Sequence, residues 1–222
     1  MTTKSTQHAE PFADDVVYIA AEGSLLLARA DRMDLDRKMA DAKEDNRRDT
    51  IGRRKSTHSS ELQRQWSGAV EAEEQVRNDL ERRIAATVSS GKVLGLEALC
   101  RKYDLDAFER TVLVLAALVA LDSKYENALG NVAHETFGSD VSPQAVWAYS
   151  EMDMAARIAS RVAFSPSAAL LKHGLVTMTW GRSASPYDLR SATVQIRQRA
   201  FDLIVGLPVD ESADDNLDAD GP

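Results

Sequence analysis

The sequence predicts a mainly α-helical protein, with an N-terminal long helical hairpin and then a compact helical domain that ends in a β-hairpin and a terminal helix. Two amphipathic stretches separated by a polar segment predict the hairpin. An apolar run in the middle of the chain predicts the core of the compact domain. Beyond residue 174 the pattern changes from helical spacing to alternation, which predicts strands. A chain of 222 residues can bury a core of this kind.

The hairpin is predicted over residues 14–91, after a disordered N-terminus at 1–13. Asp14 or Asp15 is expected to cap a helix from Val16. Residues 43–60 are almost entirely polar and are expected to form the loop. Whether the apolar faces pack inside the chain or against another subunit stays open. Each helix carries one apolar stripe, formed by Tyr18, Ala21, Leu25, Ala28, Leu35, Met39 and Ala42 in the first and by Leu62, Trp66, Ala69, Val76, Leu80, Ile84 and Val88 in the second.

The compact domain is predicted over residues 92–206 and is built around the helix Ala107 to Leu121. This helix is apolar on nearly every side, as expected of a central core helix. Asp106, with Glu109 three residues later, is expected to cap it. Other short helices are predicted at 94–103, 124–137, 144–149, 152–161 and 168–172, with Ser142 and Ser165 as caps.

The end of the domain has β-branched alternation. Leu175 to Trp180 and Ala192 to Ile196 are predicted strands, and Arg197 to Val205 is a final helix that ends at Gly206. Helices, a two-stranded hairpin and a terminal helix form the element order of a winged-helix module. The hairpin is therefore described as winged-helix-like, and it must pack on the helices because two strands are not stable alone.

Net charge argues against a general nucleic-acid binder. The chain has 27 basic and 35 acidic side chains, and six of the acids, with no base, lie in residues 210–222. The remaining 27 bases and 29 acids nearly cancel, so bulk charge gives no attraction to a phosphate backbone. Residues 207–222 are predicted to be an acidic disordered tail or linker.

The residues needed for an enzyme are not found. A phosphate-binding loop needs two spaced glycines, a lysine and a hydroxyl, and the stretch at 52–56 has Arg54 in place of the second glycine. Gly91-Lys92-Val93 lacks the hydroxyl. The four histidines are scattered, and one cysteine cannot seed a zinc site. We expect no cofactor, no metal and no catalytic activity in this chain.

Candidate contact residues are few. A basic cluster in the predicted loop is the most plausible charged contact, although Glu44, Asp45 and Asp49 beside it favour a solvated loop. Trp180 at the end of the first strand is left between core packing and an interface, whereas Trp66 and Trp147 are assigned to packing. The candidate partner contacts are Arg47, Arg48, Arg53, Arg54, Lys55 and Trp180.

A cytoplasmic location is expected. The longest apolar run, Val112 to Leu121, covers ten residues, where a membrane span needs about 20. Residues 1–10 are polar and lack a secretory signal. The single Cys100 cannot form an internal disulfide and is expected to be a buried, small apolar side chain.

One block of sequence resembles a known family. Its three parts are Tyr103 to Ala116, Leu121 to Glu126, and Phe164-Ser165-Pro166 with Leu170 to Val176. In order and spacing they are similar to the region before the motor in winged-helix-containing AAA+ ATPases that are often encoded beside phage-tail-like contractile injection systems. The resemblance covers about half the chain, from Leu94 to Gly206.

The resemblance implies a non-catalytic interaction domain of an AAA+ ATPase. Asp106 would be a cap, Phe108 a core anchor and His173-Gly174 a helix stop, while the ATPase residues of the family would lie beyond Pro222. The expected partner is a protein or the chain's own ATPase core, with a homo-oligomer through the hairpin as a further option. The alternatives are a winged-helix DNA-binding regulator and a structural component of an injection particle.

Overall fold

The computed structural model describes residues 9–48, 56–133, 141–180, 188–189 and 192–209. These residues are mainly helical and include one two-stranded antiparallel sheet near the C-terminus. The side chains of residues 45–48 and 56–59 are not described. The predicted fold class is confirmed.

Helices α1 (Asp15–Arg48) and α2 (Ser56–Ser89) pack on each other and form the arm. The backbone N–H of Val17 donates to Asp14 Oδ1 at 2.8 Å, so Asp14 caps the arm. After α2 the chain turns at Gly91, whose φ is +80°. The loop predicted over 43–60 was too long at both ends, since residues 43–48 and 56–60 are helical. The helical backbone therefore extends into both described ends of this polar segment.

The predicted N-terminal disorder at 1–13 is wrong for residues 9–13, and residues 1–8 lie outside the described part. Phe12 is 1% exposed, and its backbone N–H donates to Thr87 Oγ1 at 2.8 Å. Its ring lies 5.1 Å from the Tyr18 ring and 4.1 Å below the Arg83 guanidinium. One aromatic side chain therefore fastens the start of the chain to both helices of the arm.

Helix α1 buries more than the one predicted stripe. Its most buried apolar residues, apart from Tyr18, are Ile19, Leu26 and Ala30, whereas the predicted Ala21, Leu25 and Ala28 are half-buried. The reason is that α1 contacts not only α2 but also two helices of the body, α4 (Ala107–Leu121) and α5 (Ser123–Ala133). At Gly23 the ring of Tyr125 comes so close that a Cβ would lie 2.4 Å from the tyrosine oxygen.

The body begins with α3 (Gly95–Lys102) and α4 (Ala107–Leu121). The predicted cap of α4 is confirmed: Glu109 N–H donates to Asp106 Oδ1 at 2.8 Å, and Asp106 N–H donates to Glu109 Oε2 at 3.1 Å. Phe108 is 8% exposed, as expected of a core anchor. The predicted central role of α4 is also confirmed, because every residue from Val112 to Val119 is buried.

Helices α5 (Ser123–Ala133) and α6 (Pro143–Tyr149) follow α4. Ser142 Oγ accepts from Ala145 N–H at 3.0 Å, which confirms the predicted cap with proline in the first turn. The predicted extension of α5 to residue 137 lies outside the described residues. Trp147 is buried, donates from Nε1 to Ser160 Oγ at 2.8 Å, and packs edge-on to Phe164, as predicted for a packing residue.

Next come α7 (Met154–Ser160), a 3₁₀ turn at Arg161–Phe164 and α8 (Ala169–Lys172). The prediction that Ser165 caps the last of these was wrong. The N-cap position is Ala168, which has no side-chain cap, and Ser165 Oγ instead lies 3.2 Å from Ser167 Oγ. Residues 166–168 lie between Ser165 and the helix, so Ser165 is too far from the first turn to cap it.

The two predicted strands are confirmed as β1 (Val176–Trp180) and β2 (Ala192–Ile196). They pair antiparallel, with Val176 opposite Ile196 and Trp180 opposite Ala192. Val141 also pairs with Val194, which attaches β2 to the segment before α6. Helix α9 (Gln198–Ile204) ends at Gly206, whose φ is +74°.

Candidate interaction surfaces

A buried ionic cluster joins the base of the arm to the body. The Arg110 guanidinium from α4 bonds Glu22 Oε1 of α1 at 2.5 Å and Glu97 Oε1 of α3 at 2.9 Å. Tyr18 accepts from Arg110 and donates to Glu97, both at 2.5 Å. Three helices are therefore connected through a single cation, which we call the Arg110 cluster.

Burial and neighbouring charges both shift the pKa values of the Arg110 cluster. Burial alone would lower the pKa of Arg110, but the negative charges beside it, Glu22 first and Glu97 with it, outweigh burial and raise that pKa. Burial, followed by the charge of Glu22, raises the pKa of Tyr18. At neutral pH the cluster therefore holds a charged arginine and a neutral phenol, which is a stable structural arrangement with no group poised to transfer a proton.

A second network lies farther along the arm. Glu73 of α2 is 3% exposed and accepts from Arg29 Nε at 2.9 Å and from Arg32 Nε at 2.6 Å. Arg77 also forms an ion pair with Glu73. Arg32 forms a second ion pair, 2.8 Å from Nη2 to Glu151 Oε1, with the segment after α6. We call this the Glu73 network. Burial would raise the pKa of Glu73, but the bonds from Arg32 and Arg29 hold it below its usual value.

Sequence reasoning did not identify these two networks. The first helix carries Glu22, Arg29 and Arg32 within or beside its apolar stripe. Polar residues inside an apolar face were the available signal. Their partners could not be found because Glu22 and Arg110 lie 88 residues apart.

The predicted basic cluster is only partly described. Arg47 and Arg48 lie in the last turn of α1, and their side chains are not described. Arg53, Arg54 and Lys55 lie outside the described residues. This prediction therefore remains a prediction.

Trp180 lies at the free end of the β-hairpin. It is the last residue of β1, opposite Ala192, and it is 39% exposed. Thr179 beside it bonds Thr193 across the strands at 2.7 Å. The structure therefore places Trp180 on the surface of the hairpin and not in the core.

An exposed apolar stripe runs along α7 and the 3₁₀ turn. Met154, Ile158 and Val162 follow each other at intervals of four and are 71%, 63% and 69% exposed. Met154 and Ile158 line a shallow groove of about 290 Å³ together with Trp147 and Arg157. Single exposed apolar residues are ordinary on a protein surface, but a row of three beside a tryptophan indicates an interaction face. We call it the α7 stripe; its four-residue spacing was visible in the sequence.

The chain was compared with known proteins. A family model described as "Winged helix domain, variant" matches residues 1–216, nearly the whole chain. This chain belongs to that family. No curated protein and no solved structure shows significant similarity to the chain. The family assignment agrees with the observed β-hairpin and its attachment to Val141.

The helix just before the wing of this winged helix domain is very short. In helix-turn-helix proteins that bind DNA, a recognition helix lies in the major groove and contacts base edges and phosphates. Here β1 is preceded by α8, which has four residues. Leu170 in it is fully buried, and Lys172 is its one basic residue. The longer α7 before it exposes Met154 and Ile158, which cannot bind phosphate.

In the described part of this winged helix domain, no three His, Cys, Asp or Glu side chains are grouped as a metal would require. Burial raises the pKa of Cys100 to about 11, so its thiol is protonated and a poor nucleophile. Within the same residues, no helix combines the length and apolar character needed to cross a membrane.

Proposed function

We propose that this winged helix domain is a non-catalytic interaction domain that binds a protein partner, as the N-terminal part of an AAA+ ATPase. The observation that carries the proposal is the α7 stripe, since its side chains are apolar at positions where contact with a phosphate backbone would need cations. Association with another protein would remove this apolar surface from water. A cytoplasmic location goes with this proposal.

The Arg110 cluster and the Glu73 network support the proposal in a second way. They connect the arm to α3, α4 and the segment after α6 through charged bonds, in which Glu22 and Glu73 are buried and Glu151 is exposed. An arm held at a defined angle can present a partner to the body, or the body to a motor. The AAA+ part of the proposal rests on the resemblance of residues 94–206 to that family.

The second candidate is a DNA-binding or regulatory winged helix, which the family assignment favours. Fluorescence anisotropy with a labelled duplex separates the two candidates. The protein-partner proposal predicts no binding at micromolar protein in low salt. Duplex binding that weakens steeply with added salt would instead support the DNA-binding candidate.

The AAA+ proposal is tested first on the gene. A phosphate-binding loop in frame after Pro222, or an AAA+ gene beside this one, supplies the motor for the binding experiment. If neither exists, the AAA+ part of the proposal is wrong.

The binding experiment is calorimetric titration of the winged helix domain with that motor. The variant Met154→Glu/Ile158→Glu is expected to weaken the affinity by about tenfold or more. Val88→Glu/Val93→Glu is the matched control, because both valines are more than half exposed on another surface. Equal affinity of the stripe variant and the control would exclude the α7 stripe as the contact.

A further inference from the structure

A second concave surface lies between α3, the turn from α8 into β1, and α9. It has a volume of about 350 Å³. Its apolar lining includes Leu99, Leu175 and Leu203, of which the first two are buried. We call it the α3–α9 groove. It is distinct from the α7 stripe and contains no residue of either ionic network.

The rim of the α3–α9 groove is cationic. Lys102 and Arg197 are exposed at its edge, and Arg199 lies beside them. Among the described residues that line the groove there is no Asp or Glu. In a chain with a net charge of −8, a concave site whose described lining has the exposed cations Lys102 and Arg197 and no acid favours an anionic ligand.

One wall of the groove is aromatic. The rings of Tyr103 and His173 lie 4.6 Å apart at an interplanar angle of 30°. The Lys102 Nζ lies 5.2 Å from the centre of the Tyr103 ring, so this cation stands at the edge of the wall. Flat rings next to leucines form a surface for an aliphatic side chain.

These properties together describe a peptide. A phosphate backbone would use the cations but leave the apolar lining uncovered. An apolar side chain flanked by carboxylates would cover the lining and pair with the rim at the same time. The groove therefore fits a short acidic segment that carries one aliphatic residue.

The chain itself contains such a segment. Residues 214–220 read Asp-Asp-Asn-Leu-Asp-Ala-Asp, so that Leu217 is flanked by four aspartates. These residues lie outside the described part. Leu217 is the eighth residue after Val209, and eight residues span about 27 Å when extended. The seven-residue helix α9, whose first half lines the groove, is about 10 Å long, so the segment can reach back to it.

We propose that the α3–α9 groove binds the chain's own acidic segment 214–220, with Leu217 on the apolar lining and the flanking aspartates on Lys102 and Arg197. The contact makes the tail a built-in competitor for any acidic peptide that uses the groove. It does not depend on the proposed AAA+ function, because both the groove and the segment belong to this chain.

The first test is NMR on the full chain. The wild type is compared with the triple variant Asp215→Asn/Leu217→Ser/Asp218→Asn. Amide signals of Gly174, Gln198 and Leu203 are expected to shift, while those of the α7 stripe stay unchanged. Unchanged signals around the groove would overturn the proposal. Sedimentation of both proteins tests the intramolecular form, and a dimer that is lost in the triple variant would show that the tail binds a second copy instead.

The second test adds a labelled peptide of residues 210–222 to the triple variant. Lys102→Glu/Arg197→Glu in that background is expected to weaken peptide binding by about tenfold or more, from two lost charge pairs. Arg64→Glu/Arg82→Glu is the matched control, because it makes the same charge change on exposed side chains of α2. Lys102→Gln/Arg197→Gln is a milder variant in case the reversal disturbs folding.

Three outcomes of this titration would contradict the proposal. If the control variant weakens binding as much as the rim variant, the peptide responds only to net charge. If a peptide with Leu217→Ser binds as tightly as the wild-type peptide, the groove is a general anion surface. The same conclusion follows if duplex DNA, added at the same total negative charge as the peptide, displaces the peptide. Failure in these tests leaves the α7 experiment unaffected, since the two surfaces share no residue.

Discussion

Along residues 112–119 of helix α4 every buried side chain is apolar, whereas where the arm meets the body several buried positions hold charged groups. Leu113, Leu115 and Leu118 have no exposed surface. Glu22 and Glu73 are nearly as buried, at 5% and 3%, yet each is bonded to arginine. The apolar core gains stability from burial of any well-fitting side chain. The arm junction gains it only while both members of each pair are present.

This difference separates stability from orientation. Apolar contacts are non-directional and tolerate small shifts of a helix. A guanidinium bonded to two carboxylates on two helices has a defined direction. The buried apolar residues of α4 therefore contribute stability without fixing a direction, whereas the Arg110 cluster and the Glu73 network also constrain the angle of the arm.

The largest loss of stability is expected from a cavity in the apolar core. Leu115→Ala should lower the free energy of unfolding by about 3 kcal/mol, because it leaves a cavity at a fully buried position. Urea denaturation followed by circular dichroism measures it. Leu121→Ala on the same helix is the control and should cost less than about 1 kcal/mol, since Leu121 is 44% exposed. Equal losses would contradict the central role of α4.

Arg110→Met tests the junction side and should cost nearly as much, about 3 kcal/mol, because Glu22 is left buried without its cation. Arg82→Met, which removes an exposed pair with Asp79, should cost less than about 0.5 kcal/mol. In a double-mutant cycle, adding Glu22→Leu to Arg110→Met should restore part of the loss. If it restores nothing, the cluster is not a coupled unit.

Replacing either of two glycines by alanine is expected to change the stability by a smaller amount, with opposite signs at the two positions. Gly23→Ala should destabilise the protein by about 1–2 kcal/mol, since the new Cβ would overlap the buried ring of Tyr125. Gly68→Ala, in the exposed middle of α2 with no atom within 4 Å, should stabilise it by about 0.5–1 kcal/mol through helix propensity. Thermal melting of both variants measures the difference. A stabilising Gly23→Ala would mean that the arm does not approach α5 this closely.

The smallest expected effect is a pH dependence confined to the junction. Glu73 has a pKa below its usual value of 4.5 in the folded state. Its contribution is therefore complete above about pH 4.5 and is lost as the pH falls through the lower folded value. Glu73→Gln should remove this part of the acid dependence, which is seen by comparing urea midpoints of the two proteins from pH 6 to pH 3. Parallel curves would show that the Glu73 network adds no pH-dependent stability.

Most elements of the fold could be predicted because their ends are set by neighbours in sequence. The box of Asp106 and Glu109, the Ser142 cap and the glycines at 91 and 206 all act within a few residues. The predictions were less accurate where contacts between distant residues determine the local structure. Phe12 orders the start of the chain through Thr87, a residue 75 positions away. The polar segment at 43–60 is helical at both described ends, although nothing in its pattern favours burial.

The candidate surfaces divide in the same way. The spacing of Met154, Ile158 and Val162 and the position of Trp180 at a strand end were visible in the sequence. Their exposure was not, because it depends on which face of α7 and β1 the body covers. The α3–α9 groove combines residues near positions 100, 174 and 200, which no local pattern connects.

The helices, the two strands and the apolar central helix follow from the sequence alone, because hydrogen bonds within a turn and the period of apolar residues are local properties. Tertiary contacts set which charges meet, how the arm is fixed and where the two surfaces lie. Those features join side chains tens of residues apart, and their energies depend on burial and distance, which exist only once the chain has folded.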